Sequence, residues 1–287
     1  EIAQCLVGSE MCIRDRDTIY FERKSDMKYF NSIISAIAMY SRIPVPKIKW
    51  CEENRRYALG FFPLVGAVSG LMMVLWYFIS DKLGINTVLF SAVCTAIPIV
   101  VTGGIHMDGF CDVIDAKSSY GNKEKRLEIM SDPHTGAFAV IYAAIYFLVQ
   151  TGLFSEVRTL KTAVICGLIF VISRTLSGFA AVTLKNAKGN GTLYSFTEAS
   201  HRKSVIAILA VIFAVCTLVI LFISPVYGLA VIVVGFLTFF AYKRFAYKNF
   251  GGITGDLEGY FLQICELAML AAAVIIPLIW GKIKCIL

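Results

Sequence analysis

The chain has 287 residues, of which 57% are hydrophobic and only 16% are charged, with a formal net charge of +7. Soluble domains carry about 25% charged residues, and several apolar runs reach the roughly 20 residues that a membrane-spanning helix needs, so a soluble globular domain is excluded. A nucleic-acid-binding protein is also disfavoured, because no basic stripe interleaves with aromatic residues. The sequence predicts an all-α, polytopic integral membrane protein.

The first 26 residues have the character of a non-native leader. The stretch LVGSEMCIRDR, residues 6–16, resembles the translation of a transposon-based sequencing-library adapter, and we expect such a segment to contribute nothing to the native fold. The tripeptide ERK, residues 22–24, is what a purine-rich ribosome-binding site would encode shortly before a start codon. We expect Met27 to be the native start and residues 27–287 to form a single membrane-embedded domain; a genuine polar tail is the alternative.

Apolar segments then follow one another along the chain. A stretch at residues 29–46 is too short to cross a bilayer comfortably and fits an interfacial or re-entrant helix. In the first long span, Gly66 and Gly70 form a small-xxx-small pair suited to close helix packing. We expect about seven spans, at residues 57–79, 85–102, 136–155, 162–183, 204–223, 226–242 and 259–280.

Basic residues are distributed unequally between the connecting segments. The loops at 103–135, 184–203 and 243–258 are rich in Lys and Arg, as is the segment before the first span. The other loops carry few cations, namely Lys82, Arg158 and Lys161. Because Lys and Arg concentrate in cytoplasmic loops, we expect the N-terminus and the three basic loops to lie on the cytoplasmic side of the lipid bilayer.

The segment HMDGFCDVIDA, residues 106–116, places three carboxylates in this apolar chain. Asp108, Asp112 and Asp115 occupy positions i, i+4 and i+7, which fall within an arc of roughly 60° on a helix. Like charges this close raise one another's pKa unless a cation compensates them. Hard oxygen ligands suit Mg²⁺, or Mn²⁺. The segment therefore indicates a divalent-metal site, with an ordinary solvated acidic face as the alternative.

A second acidic pair follows in EKRLEIMSDPHTGAF, residues 124–138. Glu128 and Asp132 are again four residues apart, and they either complete the metal site from a second helix or pair with the neighbouring cations. His106 and His134 bracket the region, and each could position a phosphate or act as a general acid or base. A hydrogen-bonded structural histidine is the alternative for both.

Glycine clusters and one cation inside a span add weaker signals. The segment FGGITGDLEG, residues 250–259, contains four glycines, which let backbone N–H groups approach a phosphate closely; such clusters also form simple turns at span ends. Arg174 lies near the middle of the fourth span, where a charge is costly and usually faces a polar cavity or a partner. It could hold a phosphate or pair with an aspartate, or it could form a buried structural ion pair.

Together these segments resemble the cobalamin synthase family, the adenosylcobinamide-GDP ribazoletransferases. GGIHMDGFCDVIDA is similar to the family's H-x-D-G-x-x-D-x-x-D signature, RLEIMSDPHTGAFA to its R-x-x-E-I-M-x-D-x-x-x-G segment, and GGITGDLEGYF to its G-G-x-T-G-D-x-x-G motif. The resemblance covers the chain from about Met27 to its end. Two positions depart from the pattern: Ala116 stands where glycine is common, and DLEGYF, residues 256–261, replaces the commoner D-T-x-G-A-x.

The resemblance implies a Mg²⁺-dependent enzyme of the bacterial cytoplasmic membrane, with one membrane-embedded catalytic domain. Its substrates would be adenosylcobinamide-GDP and α-ribazole, or α-ribazole 5′-phosphate. The 3′-hydroxyl of the ribazole would attack the phosphate next to cobinamide, and GMP would leave, in the last steps of cobalamin biosynthesis. No nucleic-acid partner is expected, and the sequence does not exclude a homo-oligomer.

On this interpretation the candidate site residues form three groups. Those expected in catalysis are Asp108, Asp112, Asp115, His106 and Asp256. Those expected to ligate the metal are Asp108, Asp112, Asp115, Glu128 and Asp132. Those expected to bind substrate are Arg126, His134, Arg174, Lys188, Gly252 and Gly255. Asp256 has a structural alternative, because it directly precedes the last span and aspartate is a favoured helix N-cap.

Two other classes of protein compete with this interpretation. A CDP-alcohol phosphotransferase performs a related displacement but expects D-G-x-x-A-R, and the chain lacks that Ala-Arg pair after Asp108-Gly109. An ion-coupled transporter would also have many spans and an intramembrane charge, but transporter sites usually lie near the bilayer midplane. Here the acids group in a loop segment, which favours an enzyme.

Overall fold

The computed structural model describes residues 28–286, and every named element in that range is an α-helix. The helices are α1 (Lys28–Tyr40), α2 (Glu52–Arg55), α3 (Ala58–Phe61), α4 (Pro63–Leu83), α5 (Thr87–Thr102), α6 (Ile105–Ser118), α7 (Lys123–Ile129), α8 (Ala137–Phe154), α9 (Leu160–Thr183), α10 (Thr192–Ala199), α11 (Arg202–Ile223), α12 (Pro225–Phe250) and α13 (Gly255–Ile286). The predicted all-α class is confirmed. The leader predicted for residues 1–26 and the start at Met27 lie outside the described residues.

Six of these helices are long and apolar enough to cross a membrane, namely α4, α8, α9, α11, α12 and α13. The 16-residue α5 passes the same test only when it is joined to α6, from which it is bent by 95°. If α5 and α6 together count as one crossing, the number of spans is seven, as the sequence predicts. α6, with its three aspartates, is not one of the six spanning helices.

The bend between α5 and α6 depends on two consecutive glycines. Gly103 has φ 67° and Gly104 has φ 83°, a left-handed backbone that residues with a side chain rarely adopt. A Cβ atom at Gly103 would also overlap the side chain of Arg42, and the Arg42 N–H donates to the carbonyl of Val101 at 2.9 Å. The segment after α1 is therefore held against the end of α5, and α6 leaves in a new direction.

Helix α9 is the centre of the bundle, because it packs against α4, α11, α12 and α13. The predicted close packing of the small-xxx-small pair is confirmed: a Cβ atom on Gly66 would overlap the Phe170 carbonyl, and one on Gly70 would overlap the Gly167 carbonyl. The outer helices expose large apolar side chains such as Leu148 and Phe222. An apolar outer surface around a packed interior is typical of a helical bundle surrounded by lipid.

The connecting segments contain more helix than the hydropathy pattern predicts. The prediction of a loop at 243–258 was wrong for most of its length, because α12 continues to Phe250 and α13 begins at Gly255. The apolar run does end near Lys243 and Arg244, but both are good helix formers and a helix makes its backbone hydrogen bonds internally. Only residues 251–254 connect the two helices.

Candidate active site

The first turns of α6 and α13 lie in backbone contact, and this contact brings the acidic residues together. A Cβ atom at Gly109 would lie 2.7 Å from the carbonyl oxygen of Asp256, and one at Gly259 would lie 2.9 Å from that of His106. Since neither glycine has a side chain, the two helices approach more closely than other residues would allow. Asp108, on the exposed side of α6, therefore lies beside Asp256 although they are far apart in sequence.

The charges that act on Asp112 come from the same group of acidic residues, the carboxylates of α6 and Asp256 of α13. Burial is the largest effect and raises the pKa of Asp112 to about 7, and the charges of Asp108, Asp256 and Asp115 act in the same direction. Lys188 opposes them and lowers the pKa. A cation bound here would likewise favour the ionised carboxylates. The cluster thus has the charge pattern expected of a cation site.

Lys188 reaches this cluster from the segment between α9 and α10. The backbone of residues 185–187 pairs with Ile253, whose N–H donates to the Lys185 carbonyl at 2.9 Å and whose carbonyl accepts from the Ala187 N–H at 2.8 Å. A Cβ atom on Gly252 would overlap the Lys185 carbonyl. Gly252, predicted to contact substrate, therefore permits the pairing that fixes Lys188 beside α13.

A cavity of about 330 Å³ lies at this junction. Its lining includes Asp108, Lys188, Asp256, Gly255 and His106, so five of the predicted site residues line one cavity. The remaining wall is largely apolar. A cavity with a few polar groups in an otherwise apolar lining is typical of small-molecule sites.

Helix N-termini contribute positive potential to the same cavity. The first residues of α6, α10 and α13 all line it, and the N-caps of α6 and α10 are Gly104 and Gly191, which have no side chain to satisfy the free N–H groups. Free N–H groups at a helix start attract anions such as phosphate. With Lys188, these ends could offset the charge of a phosphate placed between the carboxylates.

The alternative role of Asp256 as a helix N-cap is wrong. The Thr254 hydroxyl accepts a hydrogen bond from the Leu257 N–H at 3.2 Å, and this is the capping interaction of α13. Asp256 is already inside the first turn, where its side chain lines the cavity. Its carboxylate is therefore free of the capping role and open to a ligand.

Asp115 has a different environment from the other two aspartates of α6. Its Oδ2 accepts from the Gly136 N–H at 2.6 Å, and its Oδ1 accepts from the Ala139 N–H at 2.9 Å. These amides belong to the start of α8, so Asp115 caps that helix from outside and joins it to α6. The catalytic and metal-binding roles predicted for Asp115 stay predictions.

The second acidic segment forms its own local contacts. Glu128 accepts from Lys125 Nζ at 3.0 Å, and Asp132 contacts His134 Nδ1 at 2.6 Å, all at the surface. Arg126 donates to Asn249 Oδ1 at 3.0 Å and so joins α7 to α12. Four residues predicted to bind metal or substrate therefore do not line the cavity, namely Glu128, Asp132, His134 and Arg126. The segment does support the site indirectly, because Ser131 Oγ accepts from Lys188 Nζ at 2.7 Å.

Two predicted residues lie deeper in the bundle. Arg174 is only 1% exposed and forms an ion pair with Glu266 of α13, which also accepts from the Ser173 hydroxyl at 2.9 Å. This is the structural ion pair considered above, and Arg174 does not line the cavity. His106 does line it, with its ring against Phe62. Burial and, secondly, the charge of Arg174 lower the pKa of His106 to about 3, so the ring is neutral at neutral pH.

Sequence reasoning missed one carboxylate of the cavity. Glu258 is 6% exposed, lines the cavity, and accepts hydrogen bonds from the hydroxyls of Ser177 at 2.5 Å and Tyr242 at 2.9 Å. It falls within the DLEGYF stretch that departs from the commoner pattern. An acidic residue three positions into an apolar helix is the signal that could have identified it.

The donor set suits a magnesium ion that shares its ligands with substrate. Among the described residues, no group of three or more His, Cys, Asp or Glu side chains is arranged so that it could hold a metal ion by itself. Mg²⁺ usually binds through one or two carboxylates, water and substrate phosphates. Asp108 and Asp112 lie one turn apart on α6 and supply only oxygen atoms, so this pair fits that requirement.

Comparison with known proteins identifies the family. The family described as cobalamin-5-phosphate synthase matches residues 32–274. The chain belongs to this family. Its relatives include proteins named adenosylcobinamide-GDP ribazoletransferase: that of Lachnoclostridium phytofermentans is 46% identical, covering 87% of this chain and 95% of the relative, and that of Clostridium botulinum is 30% identical, covering 85% and 97%. No solved structure gives a significant match.

Membership of the cobalamin-5-phosphate synthase family agrees with the resemblance carried by the three sequence motifs. The family match contains α6, the segment at 126–139 and the start of α13. In the structure, the first and third of these motifs form the walls of one cavity, and the second lies beside them. The family assignment favours a cobalamin synthase over the CDP-alcohol phosphotransferase and transporter alternatives.

The hydrogen bonds of Asp115 predict a structural effect that separates it from Asp108. We expect Asp115→Ala to lower the free energy of unfolding by about 0.5–2 kcal/mol, the usual cost of a lost helix cap. Denaturant unfolding in detergent micelles would measure it. Asp108→Ala is the matched control and should change stability by less than about 0.5 kcal/mol, because Asp108 is exposed. Equal stability of the Asp115 variant and the wild type would show that the cap contributes nothing.

Proposed function

We propose that this protein is a Mg²⁺-dependent membrane transferase that joins adenosylcobinamide-GDP to α-ribazole, or to α-ribazole 5′-phosphate, and releases GMP. One observation carries the proposal: the contact between α6 and α13 brings Asp108 and Asp256 together with Lys188 at one cavity, and Asp112 lies one turn after Asp108 on α6. The names of the relatives support the choice of reaction. The product would be adenosylcobalamin or its 5′-phosphate.

The reaction needs a site that holds a diphosphate and an alcohol together. A new bond forms between the 3′-oxygen of the ribazole and the phosphorus attached to cobinamide. The bond from that phosphorus to the oxygen shared with the guanosine phosphate breaks, and GMP leaves with that oxygen. We assign the hydroxyl proton to Asp256, a carboxylate in the cavity wall. Holding both reactants in this geometry lowers the entropic part of the barrier.

The protein compensates phosphate charge in two ways. Lys188 and the N-termini of α6 and α10 would contact the phosphate oxygens that gain charge during transfer. Such preorganised groups stabilise a transition state more than they would in water. When bound, Mg²⁺ would neutralise part of the charge on the transferred group and on the departing phosphate. Asp108 and Asp112 would hold it, and Mn²⁺ would suit the same oxygen atoms.

We propose that the protein lies in the bacterial cytoplasmic membrane with this site on the cytoplasmic side. The basic segments are those next to the site, which include Lys123, Lys188 and Lys248. The opposite connections carry few cations. The positive-inside rule therefore orients the site toward the cytoplasm, with α5 as the second crossing and α6 beyond it.

The first experiment measures product formation and the effect of Asp256→Asn. Membranes carrying the wild-type protein, incubated with adenosylcobinamide-GDP, α-ribazole and Mg²⁺, should form a product with the mass of adenosylcobalamin. Asp256→Asn should lower turnover at least about a hundredfold, the scale of lost transition-state stabilisation, yet fold normally because Thr254 caps α13.

Asp81→Asn, at the exposed end of α4, is the matched control and should keep wild-type turnover. Normal turnover of Asp256→Asn per folded molecule would remove Asp256 from the reaction. Absence of product from the wild-type protein would contradict the proposed function itself.

A second experiment tests orientation with single cysteines in a cysteine-free background. Cysteines replacing Lys123 and Lys248 should resist a membrane-impermeant thiol reagent added outside intact cells, while those replacing Lys82 and Lys161 should react. All four lysines are exposed, so each position is accessible to a reagent on its own side. Labelling of position 123 or 248 from outside would contradict the orientation.

A further inference from the structure

Two cavities of different character meet at Asp108. The cavity described above has a volume of about 330 Å³, and a second cavity of about 670 Å³ lies on the other side of the start of α6. The first is the less open of the two and is called the enclosed cavity; the second is called the open cavity. They share Met39, Ile105 and Asp108 in their linings. A transfer between two substrates needs two binding places that meet at the reacting atoms, and this arrangement supplies both.

The enclosed cavity is shaped for a small molecule with an aromatic part. The rings of Tyr40 and Phe62 in its wall lie 4.3 Å apart and are tilted toward each other by 39°. Leu262 lies six residues after Asp256 on α13, so the cavity extends about 9 Å along that helix beyond the carboxylate. Its volume is near the lower end of the range of small-molecule sites, about 300–1,000 Å³. A single nucleoside fits this size.

The open cavity has a different lining. It is bordered by Arg42, by the glycine bend at Gly103 and Gly104, and by the start of α6. Arg42 is exposed, and a guanidinium group suits the two oxygens of a phosphate. A corrin ring is much larger than either cavity, so most of the cobinamide donor must remain outside. The second cavity is the larger and the more open of the two, and it is therefore the better place for one end of so large a molecule.

We propose that the enclosed cavity binds the acceptor nucleoside, with its base against Tyr40 and Phe62, and that the open cavity binds the nucleoside diphosphate of the donor beside Arg42. The reacting phosphate lies at Asp108, where the two cavities meet, and faces Lys188 in the wall of the enclosed cavity. The hydroxyl and the diphosphate then meet at Asp108. This assignment rests on the proposed function and deepens it, because it states which substrate each cavity recognises. It also makes Arg42 a substrate-binding residue.

The test is a pair of Michaelis constants measured for two variants. Leu193→Trp narrows the enclosed cavity and should raise KM for α-ribazole at least about tenfold, the scale on which a crowded pocket discriminates, while KM for adenosylcobinamide-GDP changes less than about twofold. Arg42→Ala should show the reverse pattern, with about a tenfold rise for adenosylcobinamide-GDP alone.

The controls repeat each substitution away from both cavities. Leu71→Trp and Arg56→Ala, at exposed positions that line neither cavity, should keep both constants. A Leu193→Trp enzyme that loses affinity for the donor instead, or an Arg42→Ala enzyme that loses affinity for α-ribazole, would overturn the assignment. So would variants that change neither constant.

A measurement on the wild-type protein does not depend on the folding of a variant. Equilibrium dialysis would measure α-ribazole binding with and without saturating guanosine diphosphate. If the two substrates occupy separate cavities, guanosine diphosphate should change the dissociation constant of α-ribazole by less than about twofold. Displacement of α-ribazole by the nucleotide would overturn the assignment. Absence of product from the wild-type enzyme would overturn the proposed function and this assignment together. If the product forms but the two variants do not change the KM values as expected, only the assignment is overturned.

Discussion

The close approach of α6 and α13 at Gly109 and Gly259 is the constraint on which the site depends. Each glycine lies where a Cβ atom would meet the backbone of the other helix. With the helices this close, the carboxylates of their first turns lie together and the cavity wall is closed on one side. The glycine bend before α6 serves the same end, because it turns that helix toward α13. Backbone geometry therefore sets the positions of the charges.

The charged groups of the protein interior form two sets: those that are paired with other residues, and those that line the cavity. Arg174 and Glu266 neutralise each other between α9 and α13, and Glu258 is satisfied by two hydroxyls. An unpaired charge in such an interior would be very costly, so these pairings are needed for the bundle to fold. Asp108, Asp256 and Lys188 differ, since they line the cavity and can take partners from a ligand.

Local patterns predicted the helices, but not the contacts that distinguish one acid from another. Apolar runs located the spans, and the i, i+4, i+7 spacing correctly placed three aspartates on one helix. The same spacing could not show that Asp115 caps α8, because the amides that it contacts come from Gly136 and Ala139 in another segment. The topology predicted from the basic loops placed Asp256 and α6 on the same side of the membrane, but it did not predict their contact. Glu258 was missed because hydropathy treats the start of α13 as an ordinary span end.

The most direct test of the central claim, that the α6 aspartates hold a metal for phosphoryl transfer, is a Mg²⁺ titration of turnover in the wild type and in Asp112→Asn. We expect no turnover in excess chelator, recovery on addition of Mg²⁺, and at least about a hundredfold lower turnover in the variant at any Mg²⁺ concentration. Full activity in chelator, or near-wild-type activity of Asp112→Asn, would contradict it.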